Sequence, residues 1–245
     1  MNSIEKNKLP KHIAVILDGN GRWAQLRNLP RSEGHRKGGE NLKRFIDDIL
    51  ELQIPYISLY AFSTENWKRP KTEIHSLWKL MLEFFAKYLE ECIEKKICIK
   101  ISGDITKLPK SNQEIINEAI NKTKKNKHLY VNFCINYGSQ QEIINAINQI
   151  LEIKINQFQQ TGQIKKINKK EFEKYLYTYP LPPVDLLIRP GGEYRISNFL
   201  LWQCAYAELY FTKTLWPDFS KEDLYNALEW YSKRERRFGG LLSIK

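Results

Sequence analysis

Six short runs rich in β-branched and aromatic residues, at 12–17, 56–62, 98–102, 130–136, 185–189 and 209–212, recur along the chain. Several are apolar almost throughout, as expected of parallel strands covered on both faces. The stretches between them, 39–52, 73–95, 112–124 and 140–153, read as helices, and in the last Ile143, Ile144, Ile147, Ile150 and Leu151 keep helical spacing. This alternation predicts an α/β single domain: a doubly wound, central six-stranded, mostly parallel sheet flanked by helices. A length of 245 residues with 42% hydrophobic side chains suits one such core. Neither a repeat nor a linker divides it, so 1–245 reads as one domain, with 1–11 as an N-terminal tail and 154–170 as a polar surface connection.

Composition then narrows the function classes. No apolar run approaches the roughly 20 residues that span a bilayer, and the polar start Met1-Asn2-Ser3-Ile4-Glu5-Lys6 is unlike a signal peptide. A soluble, cytoplasmic protein is expected. Cys92, Cys98, Cys134 and Cys204 form no CxxC pair and read as free thiols, and the histidines lack metal-ligand spacing. The formal charge of +11 suits phosphorylated small molecules, an anionic membrane surface or nucleic acid. Lysines crowd polar tracts such as 121–127 and 164–170, whereas arginines mark glycine- and proline-punctuated segments, where their planar forks suit phosphate oxygens.

Those segments follow the first, second and fifth strands, at the carboxyl edge where open α/β sheets bind ligands. Asp18-Gly19-Asn20-Gly21-Arg22-Trp23 offers a hard carboxylate for Mg²⁺, backbone N–H groups that can approach an anion, and a guanidinium. Taken alone it also reads as an ordinary turn. Arg31 and His35 add candidate diphosphate ligands just before the next helix. Ser63-Thr64-Glu65-Asn66-Trp67-Lys68-Arg69-Pro70 supplies hydroxyls, an amide, an aromatic wall and a cation. Arg189-Pro190-Gly191-Gly192-Glu193-Tyr194-Arg195-Ile196-Ser197 sets two arginines around a Gly-Gly turn and ends in a hydroxyl suited to cap a helix, a second anion site.

With these strings, and with Arg195-Ile196-Ser197-Asn198-Phe199-Leu200-Leu201-Trp202-Gln203, Tyr206-Ala207-Glu208-Leu209-Tyr210-Phe211 and Arg234-Glu235-Arg236-Arg237-Phe238-Gly239-Gly240, the chain resembles the undecaprenyl diphosphate synthase (isoprenyl transferase) family over 12–240. The resemblance implies a Mg²⁺-dependent cis-prenyltransferase joining an allylic diphosphate, typically farnesyl diphosphate, to successive isopentenyl diphosphates, with undecaprenyl diphosphate for cell-wall carrier lipid as the expected product. It implies that Asp18 and Glu208 hold Mg²⁺, and that Gly19, Asn20, Gly21, Arg22, Arg31 and His35 grip the departing diphosphate. By the same likeness Trp23 lines the entrance, and Asn66 takes the proton-acceptor position amid Ser63, Thr64, Glu65, Trp67 and Arg69. Arg189, Arg195, Ile196 and Ser197 match the isopentenyl diphosphate site. A homodimer is implied, with 234–245 reaching the partner, Arg237-Phe238-Gly239 at its isopentenyl site, and Glu208 offered across the interface. An apolar product tunnel is expected along 73–95, with Leu77, Trp78, Leu80, Met81, Leu82, Phe84, Phe85, Tyr88 and Leu89 as candidate walls and Ala86 as a position to enlarge. Release of such a product implies transient contact with the inner face of the membrane.

Two positions depart from the family pattern: Pro190, commonly threonine, removes a backbone donor, and Ser139 stands where a second glycine is usual. Two other functions compete. A non-catalytic regulatory subunit of this fold would lack the metal carboxylate or several arginines, which this chain keeps. A basic nucleic-acid-binding protein has charge alone in its favour, with no RNP, helix-turn-helix or zinc pattern, so no nucleic-acid partner is expected.

Overall fold

The computed structural model describes residues 5–236 and 240. Its strands are β1 (His12–Ile16), β2 (Tyr56–Ser63), β3 (Ile97–Ser102), β4 (Leu129–Tyr137), β5 (Leu186–Arg189) and β6 (Glu208–Phe211). They form one sheet in the order β3-β4-β2-β1-β5-β6, and every pairing is parallel, beyond the mostly parallel expectation. The helices are α1 (Asn20–Gln25), α2 (Arg31–Glu51), α3 (Lys71–Glu94), α4 (Lys110–Thr123), α5 (Ser139–Thr161), α6 (Lys169–Glu173) and α7 (Lys221–Ser232). Among the described residues, no helix is long and apolar enough to cross a membrane.

Alternating side chains in β1 serve two cores. Ile13 and Val15 pack with Phe45, Ile116 and Leu224 on one face, while Ala14 and Ile16 join Tyr60, Tyr137 and Phe199 on the other. Within the sheet runs a buried polar chain. His12 Nε2 meets Ser58 Oγ at 2.9 Å, Asn132 donates to Ser58 Oγ at 3.0 Å, and Ser102 Oγ donates to Asn132 at 2.9 Å. All four residues are wholly buried, so these mutual bonds offset the desolvation that unpaired polar groups would suffer. Burial pushes the His12 pKa down despite hydrogen bonding from its ring to the Pro182 carbonyl.

The strand order places β2, β1 and β5 side by side, so the three arginine-bearing loops leave neighbouring carboxyl ends. The chain moves from β1 to β2 on one side and later returns to β5 on the other, a topological switch point.

Three sequence expectations are corrected. Helix α2 begins at Arg31, eight residues before 39, because its glycines serve close packing instead of breaking the helix. A Cβ on Gly34 would lie 2.0 Å from the Asn20 carbonyl oxygen, and one on Gly38 would lie 2.3 Å from Asn20 Oδ1. The tract 154–170 is not all connection: α5 runs on to Thr161, where Gly162 ends it at φ 67°, and α6 begins at Lys169. Ser197 caps no helix; it sits at φ 49° in a turn-rich segment. Helices α1, α6 and α7 were not foreseen, although the Ser220–Asp223 capping box of α7 is legible in sequence.

Candidate functional site

A cavity of about 430 Å³ opens at the carboxyl edge of β1, β2 and β5. Its mouth is polar, with Asp18, Arg22, Arg31, His35, Arg69 and Arg189, and its depth is apolar, with Leu77, Trp78, Met81, Phe84, Phe85 and Phe133.

Asp18 leaves β1 and is held by its backbone, the carbonyl accepting from Trp216 N–H at 2.9 Å. Gly19 follows at φ 107°, where a Cβ would also meet Leu215 within 3.1 Å, so only glycine fits both the twist and the space. The Asp18 carboxylate lies between two guanidiniums, 2.9 Å from Arg189 Nη2 and 3.2 Å from Arg22 Nη2. Arg22 in turn donates to the Gly191 carbonyl at 2.6 Å and faces Glu193 at 3.7 Å. Arg189, only 4% exposed, donates to Ser197 Oγ at 2.8 Å and to the Arg195 carbonyl. The Asp18 loop and the Gly-Gly turn therefore form one connected lattice. Arg195 extends outward and pairs with Glu193, its side chain 60% exposed and available to a second anion.

A second cationic group gathers on Glu73, which the sequence reading did not single out. Its carboxylate accepts from Arg31 Nε at 3.1 Å, Arg69 Nη1 at 3.1 Å and His35 Nε2 at 3.2 Å. Burial raises the Glu73 pKa, but hydrogen bonds from Arg31 and His35 and the Arg31 and Arg69 charges outweigh it and leave the carboxyl low. Burial lowers the pKa of His35 against the pull of Glu73, which favours a neutral ring donating from Nε2. Its placement within α2, not ahead of it, aims it at Glu73. The one signal in sequence was Glu73 four residues after Arg69, at the start of a helix.

The remaining predicted residues divide. Gly21, Asn20, Ser63, Asn66 and Ser197 line the cavity with those above. Asn66 Oδ1 accepts from Ser63 N–H at 3.2 Å in a capping box, so that lone pair is already engaged. Thr64, Glu65, Trp67, Ile196 and Trp23 stand outside the lining. Glu65 accepts from Asn198 Nδ2 at 3.1 Å, and Trp67 donates to Asn136 at 2.7 Å while packing on Phe62 and Trp78, so both tie the loop to its neighbours. Burial raises the Glu65 pKa, and bonds from its own backbone N–H and from Asn198 outweigh that. Trp23, expected at the entrance, instead donates to Asp218 at 2.7 Å with Arg27 stacked 4.3 Å from its ring.

Glu208 opens β6 opposite Leu186, at the amino end of the sheet, and pairs with Arg234 at 3.1 Å. Asp18 follows the other end of β1, so one chain does not bring these two carboxylates together. Among the described residues, no three His, Cys, Asp or Glu side chains cluster to hold a metal. One carboxylate lining a cavity with several guanidiniums at its mouth still fits Mg²⁺, which takes one or two carboxylates and fills its shell with phosphate oxygens and water. The buried Asn20 Oδ1 beside it has no protein partner. Arg237, Phe238 and Gly239 lie outside the described residues. Ser139 uses its extra hydroxyl to accept from Leu201 N–H at 3.0 Å, and Pro190 is buried next to Arg189. Ala86 is exposed and Leu82 is absent from the cavity wall, whereas Tyr88 and Leu89 line a smaller cavity beyond it.

Comparison with known proteins agrees with this geometry. Residues 16–239 match the family described as "Putative undecaprenyl diphosphate synthase". An isoprenyl transferase of Leptospira interrogans is 54% identical over 242 residues, covering 98% of this chain and 99% of that protein. One from Clostridium acetobutylicum is 46% identical, covering 98% and 93%. Among solved structures, lavandulyl diphosphate synthase from Lavandula x intermedia, in complex with dimethylallyl diphosphate, superposes with a TM-score of 0.89 at 33% identity, covering 95% of this chain and 99% of that one. A "probable undecaprenyl diphosphate synthase" from Campylobacter jejuni gives 0.77 at 34%, covering 98% and 100%.

Proposed function

Because the chain belongs to the undecaprenyl diphosphate synthase family and is a cis-prenyltransferase, we propose that it extends farnesyl diphosphate with successive isopentenyl diphosphates to undecaprenyl diphosphate, a cell-wall carrier lipid. The observation that carries this reading is the cavity itself, cationic at its mouth and apolar at its depth, the two halves of an allylic diphosphate. A neighbour of the same fold holds dimethylallyl diphosphate, the smallest such substrate.

In each cycle the allylic C1–O bond breaks and its electron pair leaves with the diphosphate. The isopentenyl double bond supplies the pair for the new bond from its terminal carbon to C1. A proton then leaves C2 of the isopentenyl unit, and the double bond reforms in the cis sense. Arg22, Arg31 and Arg69 stabilise the charge growing on the departing diphosphate. Mg²⁺, held by Asp18, would add Lewis-acid neutralisation of the same oxygens. Arg189 and Ser197 set the floor on which Arg195 presents the second diphosphate, so both reactants are held in register. The Asn66 amide, with Oδ1 already accepting a hydrogen bond, positions the isopentenyl unit, and the departing diphosphate takes the proton.

A homodimer belongs to this proposal. Ile144, Ile147 and Leu151 on α5, with Leu201, Tyr206 and Leu209 beside the β6 edge, are exposed apolar side chains that a second copy would cover. It would also deliver Glu208 to the partner's Asp18. The apolar product places the enzyme at the cytoplasmic face of the membrane during release. Incubation with farnesyl diphosphate, labelled isopentenyl diphosphate and Mg²⁺, with products sized by chromatography, tests the whole reading; no extension refutes it.

A further inference from the structure

Three segments that follow different strands meet beside Gly138, where an added Cβ would lie 2.7 Å from Thr64 Oγ1 and 2.8 Å from Asn198 Nδ2. Thr64 belongs to the loop after β2, Gly138 to the step from β4 into α5, and Asn198 to the turn-rich segment after β5. Asn198 bonds to both of the others. Its Nδ2 donates to Glu65 Oε1 at 3.1 Å, its Oδ1 accepts from Gln140 N–H at 2.9 Å, and its carbonyl accepts from Ser139 N–H at 2.8 Å.

The first two N–H groups of a helix have no acceptor within it, and Gly138 brings no side chain to cap those of α5. Asn198, 58 positions beyond Gln140, satisfies both. It stands at φ 62°, a left-handed conformation that asparagine enters more readily than most residues. Ser197 and Leu200 are left-handed too, each at φ 49°, and such a turn persists only where its surroundings hold it. Tyr60 Oη donates to the Ser197 carbonyl at 3.3 Å, Phe199 stacks on the Tyr60 ring at 4.3 Å, and Leu201 N–H donates to Ser139 Oγ. These contacts fix the turn to the sheet and to α5. The bond from Asn198 to Glu65 carries that anchorage to the loop bearing Asn66.

Resting on the prenyl-transfer reading above, we propose that Asn198 is a positioning residue. By tying Glu65 to the capped end of α5, it sets the spacing between Asn66 and the Arg195–Ser197 side of the isopentenyl diphosphate site. A hydrogen bond at so open an edge adds little to global stability. It fixes a distance, however, and a small misplacement of reacting groups costs rate. Glu65 carries its charge at neutral pH, its carboxyl lying below the ordinary range, so the partner it needs is a donor.

The test is a double-substitution cycle in the full-length protein, with farnesyl diphosphate, isopentenyl diphosphate and Mg²⁺, reading KM for each substrate. Asn198→Asp keeps the acceptor for Gln140 N–H but sets a second carboxylate against Glu65, and should raise KM for isopentenyl diphosphate about tenfold. KM for farnesyl diphosphate should change by less than about twofold, because Arg69, at the far end of the loop, is held separately by Glu73. In a Glu65→Gln background the new amide can donate to the new carboxylate, and Asn198→Asp should then cost about twofold or less. Equal effects in the two backgrounds overturn the proposal, as does an equal rise in both KM values. Thermal melts check folding. If Asn198→Asp does not fold, Asn198→Gly and Glu65→Ala replace the pair; each breaks the same bond, so their effects on KM should fail to multiply, and full multiplication overturns the proposal. No extension by the unsubstituted protein overturns the prenyl-transfer reading instead, so the two failures are distinguishable.

Discussion

Removing Glu73 should loosen the mouth of the site before it alters anything else. The carboxylate joins three cationic or titratable side chains, two from α2 and one from the loop before α3. Arg31 and Arg69 have side chains 47% and 35% exposed, so water screens them and each pair contributes about 0–1 kcal/mol. His35 and Glu73 are 9% and 10% exposed, and a hydrogen bond to a charged group so sheltered contributes about 1.5–3 kcal/mol. Glu73→Ala should therefore lower unfolding free energy by about 2–4 kcal/mol in urea titrations, read from the midpoint at constant slope. Glu73→Gln keeps an acceptor and should lose less than half of that. In steady-state assays Glu73→Ala should raise KM for the allylic diphosphate about tenfold or more, since the two guanidiniums and the His35 ring no longer share one geometry. An unfolding free energy within about 0.5 kcal/mol of wild type would refute the assignment, since that is the ordinary scatter of surface substitutions.

Acid should weaken the same region in two stages. The folded pKa of His35 lies below its ordinary 6.5, so under that pH the unfolded chain takes up a proton first and stability falls. The folded pKa of Glu73 lies below 4.5, so its contribution is present above 4.5 and is lost as pH falls through the folded value. Glu73→Ala should flatten this second stage in pH-dependent thermal melts; an identical acid limb would count against it. Gly34→Ala drives a methyl to 2.0 Å from the Asn20 carbonyl and should cost about 1–3 kcal/mol or more, whereas Gly39→Ala, with nothing nearer than 3.9 Å, should stabilise the helix by about 0.5–1 kcal/mol. Equal melting temperatures for the two variants would sink the close-packing argument. Asp18→Ala should reduce kcat about 10²-fold or more with the fold intact. Glu208→Ala should do likewise, and an exchanged equimolar mixture should recover about a quarter of wild-type rate, because half the dimers regain one of two sites. No recovery from a mixture shown to exchange would exclude a site shared between chains.

The six strands were legible because a parallel strand covered on both faces writes itself as a local apolar run, and each observed strand lies within about a residue or two of its expected bounds. The three loops were legible for a related reason: glycine, proline and arginine cluster where strands end. What sequence could not show were relations between distant positions. The helix expected from 39 starts at Arg31, and the need for Gly34 and Gly38 within it shows only when Asn20 is seen lying against them. Asp18 meets Arg189 across 171 positions and Glu73 meets Arg31 across 42, distances over which no periodicity carries information. The family resemblance grouped Glu208 with Asp18 across a dimer interface, and parallel register sets the two at opposite ends of the sheet within one chain. So local side-chain chemistry determined the elements and the candidate site residues. Only tertiary packing decided which of them face one another, because a contact is set by the paths of both segments and neither segment encodes the other's.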